Sequence, residues 1–288
     1  MKRLLICILG LAMNSGLRAG EIDRLKTKRD VEQFVWKTFP ALKKEALFAA
    51  AAEDTHALAD GYFKLDLDGN GLTDLVVNGR YTIVVLDVGG HYTVFNMGRA
   101  GGDPGLFEEL LAIDSVGHPN KLVVRRRKGV YWRDLKPPEY HNDTLVIHFG
   151  QLMEYNAHPD EGFRFERIRI LTTRCFGHCP LFDMTIRSNR WTTYEAVEYN
   201  KQKGSFACFL PAPAYDTLMA ILRYMPIDRM DTAFLVNWTD DQTVIVTFFF
   251  NGRARQIGDY GKLGTYGLQR LYALIFRWKD ELEWKENQ

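Results

Sequence analysis

Thr243-Val244-Ile245-Val246-Thr247-Phe248-Phe249-Phe250-Asn251-Gly252-Arg253-Ala254-Arg255-Gln256-Ile257 reads as one β-hairpin. A run of β-branched and aromatic residues suits a pleated, half-buried surface. Asn-Gly then supplies the two residues that tolerate the positive φ angles of a tight hairpin turn. Downstream the period changes from two to the three-four-seven spacing of a helix, with Leu268, Leu271, Tyr272, Ile275 and Trp278 on one side. Upstream, Pro211 and Pro213 open a second helix, whose buried face carries Leu218, Ile221, Leu222 and Met225. Before it, residues 165–171, 182–187 and 191–199 are strand-like. Strands and helices segregated in this way predict an α+β fold of mostly antiparallel sheets packed against helices.

The first half begins with helical material. Val31, Phe34, Val35 and Leu42 form an apolar stripe interrupted at Pro40, and residues 41–52 are rich in helix formers. Strands are expected at 62–65, 74–77, 81–86, 92–95, 122–126 and 144–149, with Asn78-Gly79 as a hairpin turn. The polar, turn-rich residues 156–162 are the expected boundary between two domains, 21–160 and 161–288. A chain of 288 residues accommodates two ordinary domains.

Met1-Lys2-Arg3, the apolar residues 4–13 and the small residues before Gly20 have the layout of a signal peptide, residues 1–20, cut after Ala19 or Gly20. Cys7 lies too near the start for lipid attachment. A periplasmic or secreted protein is therefore expected. Loss of Lys2, Arg3 and Arg18 turns the net charge from +1 to −2, which gives no electrostatic reason to expect nucleic acid or an anionic membrane. No later stretch is long and apolar enough to span a bilayer. The partner expected is an envelope protein or polymer.

The sharpest local pattern is Asp66-Leu67-Asp68-Gly69-Asn70-Gly71-Leu72-Thr73-Asp74. Calcium takes six to eight oxygens in flexible geometry. Side chains at positions one, three, five and nine are Asp66, Asp68, Asn70 and Asp74. Position seven uses a backbone carbonyl, so Leu72 is acceptable there. Gly71 falls where the chain must turn sharply. Position twelve is Val77 rather than glutamate and the flanks are strands, so the loop is no EF-hand. It resembles the D-x-D-G-N-G-x-x-D-L loop of FG-GAP and related extracellular repeats, in which calcium joins two β-strands. The pattern occurs once, so a propeller is not implied. A weak structural calcium site is expected. The competing reading is an Asx-rich loop that holds no metal.

Arg174-Cys175-Phe176-Gly177-His178-Cys179-Pro180 lies between two expected strands. Three readings stay open: a short-loop disulfide between Cys175 and Cys179, a thiolate or redox site, or zinc held with His178 and Cys208. From residue 165 to 284 the chain resembles an uncharacterised bacterial exported domain family with a C-x-G-x-C-P motif. That resemblance implies a fold and no reaction.

No nucleophile elbow surrounds Ser15, Ser115, Ser188 or Ser205, and the seven histidines are dispersed. Gly98 to Gly105 lacks the lysine of a phosphate loop. Arg125-Arg126-Arg127-Lys128 reads as a solvated strand and turn. The function expected is a non-enzymatic, calcium-stabilised binding or interaction protein. The alternative is a thiol-dependent envelope enzyme or redox protein using Cys175 or Cys179, with Arg174 and His178 lowering a thiolate pKa.

Overall fold

The computed structural model describes residues 20–44, 46–48, 58, 61–79, 82–97, 108–127, 139–236 and 238–287. The expected signal peptide up to Ala19, the glycine-rich stretch from 98, Lys128 and part of the helix-forming run 41–52 (residues 45 and 49–52) lie outside them.

Helix α1 (Lys28–Thr38) starts at a capping box: Thr27 accepts from the Asp30 amide while the Asp30 carboxylate accepts from the Thr27 amide. A 3-10 turn, Pro40–Lys44, follows in place of a continued helix. Strands β1 (Gly61–Leu65), β2 (Asp74–Asn78), β3 (Thr82–Asp87) and β4 (Tyr92–Asn96) form an antiparallel meander. Asn78 is the last ladder residue of β2, opposite Thr82, rather than part of a two-residue turn. Strands β5 (Glu108–Asp114), β6 (Lys121–Arg127), β7 (Tyr140–His148) and β8 (Gln151–Glu154) form a second meander.

The third sheet has eight strands. They are β9 (Phe165–Thr172), β10 (Leu181–Arg187), β11 (Trp191–Glu198), β12 (Gly204–Phe209), β13 (Ala233–Leu235), β14 (Thr243–Phe250), β15 (Arg253–Tyr260) and β16 (Lys285–Glu286). Their order is β13-β15-β14-β9-β10-β11-β12-β16, and among the described residues only β13 and β15 pair in parallel. Helices α2 (Ala212–Tyr224) and α3 (Tyr266–Glu281) cover one face. At the β14–β15 turn both Asn251 (φ 53°) and Gly252 (φ 76°) are left-handed, as a two-residue hairpin requires.

The alternation of side chains stacks these elements in layers. Val31, Phe34 and Val35 of α1 pack on Leu75, Val77, Ile83 and Val85. The opposite face of the same sheet, with Val76, Val84 and Leu86, packs on Leu110, Leu122, Val124, Leu145 and Ile147 of the second sheet. This is why β2 is buried along its whole length. Val146 and Met153, on the far face of that second sheet, join the core beneath α2 and α3. The layer order is thus α1, first sheet, second sheet, helix pair, eight-stranded sheet. The outer face of the last sheet contributes nothing to the three cores.

The arginine run differs from its expected solvated state. Arg125 and Arg126 are only 20% and 13% exposed. They stand directly opposite Glu109 and Glu108, and being adjacent on one strand they reach opposite faces. Arg126 lies among Glu108, Asp143 and Glu154, while His141 Nε2 sits 3.2 Å from Asp143. Cross-strand carboxylates have drawn both cations inward.

Candidate metal centre

The loop between β1 and β2 is anchored before it is charged. Leu67 is buried in the core between the first two sheets, which fixes the chain on either side of its Asp66 and Asp68 neighbours. Gly69 and Gly71 take φ of +78° and +82°, so the loop curls back on itself through a left-handed backbone that glycine adopts at little cost. Asp66 accepts from the amides of Gly69 (2.8 Å), Asn70 (3.2 Å) and Gly71 (2.8 Å). Asp74, fully buried, accepts from the Leu67 amide at 2.7 Å and the Asp87 amide at 2.8 Å. One oxygen of each of Asp66, Asp68 and Asp74 falls within 4.8 Å of the others.

Three carboxylates held this closely repel. Burial pushes the Asp74 carboxyl up to about 6; the two amides oppose this, and Asp68 and Asp66 push it further. Burial raises Asp68 too, aided by Asp66. The remaining expected ligands stand differently. Asn70 turns its amide nitrogen to the cluster, between Asp68 Oδ2 at 3.2 Å and the Asp87 carbonyl at 2.7 Å, while its oxygen accepts from Leu72 N at 2.7 Å. A half-turn of that amide would present its oxygen beside Asp68. Leu72 enters the loop's hydrogen bonding through that amide contact.

Two contributors escape the nine-residue pattern. Asp87, at the end of β3, offers its carbonyl to Asn70 and its amide to Asp74; Asn120, ahead of β6, donates to the Asp66 carbonyl. Both act from other strands. Only the strand pairing brings them near.

At the β9–β10 connection Cys175 and Cys179 form a disulfide, Cα–Cα 5.9 Å. Gly177, at φ +149°, permits the bend, and its amide donates to the Cys175 carbonyl. The 239–242 turn braces this loop. Phe176 N donates to the Asp240 carbonyl, and Gln242 Nε2 donates to the carbonyls of Thr173 and Pro180. Asp241 caps the turn by accepting from Trp238 and Gln242. Bonded to each other, the two cysteines present no thiolate. Arg174 is paired with Glu198, and His178 packs edge-on against Tyr199. Cys208 pairs with Thr192 at the opposite end of the strands, and burial pushes its thiol up to about 11, so it is neutral near pH 7.

The fold and site define a layered α+β protein with an acidic inter-strand loop and a short-loop disulfide. Among the described residues no helix is long and apolar enough to cross a membrane. Residues 166–279 match the family described as "Domain of unknown function (DUF6438)", which takes in most of the eight-stranded sheet and both of its helices. Neither a curated protein nor a solved structure matches the chain.

Proposed function

We propose that the chain is an exported interaction protein whose 66–74 loop holds one structural calcium ion. The observation that carries this is the convergence of Asp66, Asp68 and Asp74 within 4.8 Å, with Asp74 buried. The Asp68 and Asp74 carboxyls, which burial and the neighbouring negative charge drive toward protonation, are relieved by a hard divalent cation. The Asp66 and Asp68 oxygens, Asn70 after its half-turn and Asp74 would hold it. Water completes the shell, consistent with a weak site suited to millimolar calcium. The ion would tie β1 to β2 and, through Asp87, to β3. Export is supported by the N-terminal pattern and by the disulfide, a bond of oxidising compartments.

Calcium at ten times its dissociation constant adds about 1.4 kcal/mol to the folded state. For a chain of this size that is a rise of about 3–6 °C in melting temperature. The expected result is this rise for wild type and none for Asp68→Ala, with magnesium giving little because it sheds water reluctantly. Indistinguishable melts of both proteins with and without calcium would remove the site.

A further inference from the structure

The uncovered face of the eight-stranded sheet carries a transverse row of aromatic and arginine side chains. Phe209 of β12 stands opposite Trp191 of β11, with ring centroids 5.0 Å apart and the rings edge-to-face. Trp191 and Arg187 flank the β10–β11 turn, one step beyond the last ladder pair, Ile186 and Thr192. Arg187 is directly opposite Arg167 of β9, and Arg167 is directly opposite Phe249 of β14. The row crosses five adjacent strands, roughly 19 Å at the usual strand spacing. Phe209 is 62% exposed, and both arginines are exposed.

Two features mark the row as a binding site. Like charges directly across a ladder destabilise the pair, yet neither Arg167 nor Arg187 forms an ion pair with a described residue. On the same strand Arg169 is gripped by both oxygens of Asp183, so the face does neutralise an arginine elsewhere. Arg167 is also pre-set: its guanidinium lies 3.7 Å from the Phe249 ring centroid. Placed over the ring and without an ion-pair partner among the described residues, it has N–H groups to offer an oxyanion.

We propose that this row binds an acidic polysaccharide, with a sugar carboxylate held between Arg167 and Arg187 and the apolar face of a neighbouring ring against Trp191 and Phe209. Single-stranded nucleic acid fits less well. It needs a series of open rings for successive bases, and Arg167 already covers Phe249. Two free arginines also make few phosphate contacts. The site extends the interaction-protein reading by naming a partner. It rests on that reading only in that the protein binds rather than catalyses, and it lies in a different sheet from the acidic loop.

The test is titration of the full chain with a labelled hexasaccharide carrying glucuronate at every second ring, beside neutral cellohexaose and a single-stranded oligonucleotide of similar length. Wild type should bind the acidic sugar and not the neutral one. Arg167→Ala/Arg187→Ala should weaken binding by at least about ten-fold. Arg167→Lys/Arg187→Lys, which keeps charge and loses the planar fork, should weaken it several-fold. Arg253→Ala/Arg277→Ala removes two cations elsewhere, since Arg253 pairs with Asp228 and Arg277 with Glu281, and should change binding less than two-fold. All positions changed are exposed, and unaltered melting temperatures would verify the fold. No binding by wild type, equal losses from the two alanine pairs, or an oligonucleotide bound as tightly as the acidic sugar overturns the proposal. Acidic-sugar binding that persists in a protein whose melt ignores calcium would separate this site from the metal loop.

Discussion

Arg126→Met should unfold with about 3–5 kcal/mol less free energy than wild type, the usual cost of breaking a buried ion pair from one side. Arg126 uses nearly every direction its guanidinium offers. Nε meets Glu108 at 2.7 Å, Nη1 lies 3.3 Å from Asp143 and 3.4 Å from Glu154, and Nη2 donates to the Gly264 carbonyl at 3.2 Å. Its face lies over the Tyr266 ring, and the Tyr266 hydroxyl in turn donates to Glu108. Methionine keeps an apolar stem without the cation and leaves three carboxylates facing one another. Burial already raises Glu108 and Glu154, with Arg126 as the group that most opposes it. Without that cation their folded pKa values rise further above the unfolded value. The variant's deficit should therefore be smallest below about pH 4.3 and widen as pH rises through the folded values. Urea unfolding at pH 5 and pH 8 measures it. A deficit under about 1 kcal/mol, or one independent of pH, would contradict the role given to Arg126. Adding Glu108→Gln and Glu154→Gln to Arg126→Met should recover part of the loss.

Asp259 should make the eight-stranded sheet less stable as pH rises from 4 to 7. It is fully buried on β15, and burial lifts its carboxyl to about 6, against the amides of Gly264 and Leu263 and the neighbouring Tyr272 and Lys262. A carboxyl with a raised folded pKa binds its proton more tightly in the folded state. Its contribution is therefore complete below about pH 3.9 and falls away as pH rises through 6. The difference between about 3.9 unfolded and about 6 folded corresponds to about 2–3 kcal/mol. Asp259→Asn removes the titration but sets an NH2 group against one of the two donating amides, Leu263 and Gly264, which stand 3.1 and 3.0 Å from the two present oxygens. The variant should thus be less stable at pH 4 by about 1–3 kcal/mol, with the gap narrowing toward neutrality. Parallel curves of stability against pH for the two proteins would refute this account.

What could be read from the chain alone follows from how local each signal is. The β14–β15 hairpin and the α3 stripe came from near neighbours, and Leu268, Leu271, Tyr272, Ile275 and Trp278 are all buried. The disulfide spacing was legible as one of three options, because the nearness of two sulfurs does not reveal their oxidation. Asp66, Asp68 and Asp74 converge as their spacing suggests. Asp87 and Asn120 could not be found, since they reach the loop from 13 and 54 residues away. Strand β5 was missed for a related reason. Its Glu108-Glu109 start looks solvated until Arg126 and Arg125 are placed opposite. Strand β12, Gly-Ser-Phe-Ala-Cys-Phe, has weak propensity and is held by pairing with β11. Each miss is a long-range contact that overrode a local preference.

Glu154 bears on how the chain can be divided. Its two oxygens accept from the first amides of α3, Tyr266 at 2.6 Å and Gly267 at 3.0 Å, while Thr265 accepts from Leu268. Its neighbour Met153 and the β7 residue Val146 line the underside of the same helix pair. A fragment beginning at residue 161 would retain all eight strands and both helices, yet it would start α3 with open donors and expose an apolar floor to water. Such a fragment should be prone to self-association. The stretch that carries the family likeness is therefore expected to need at least the β7–β8 hairpin beside it to stand alone in solution.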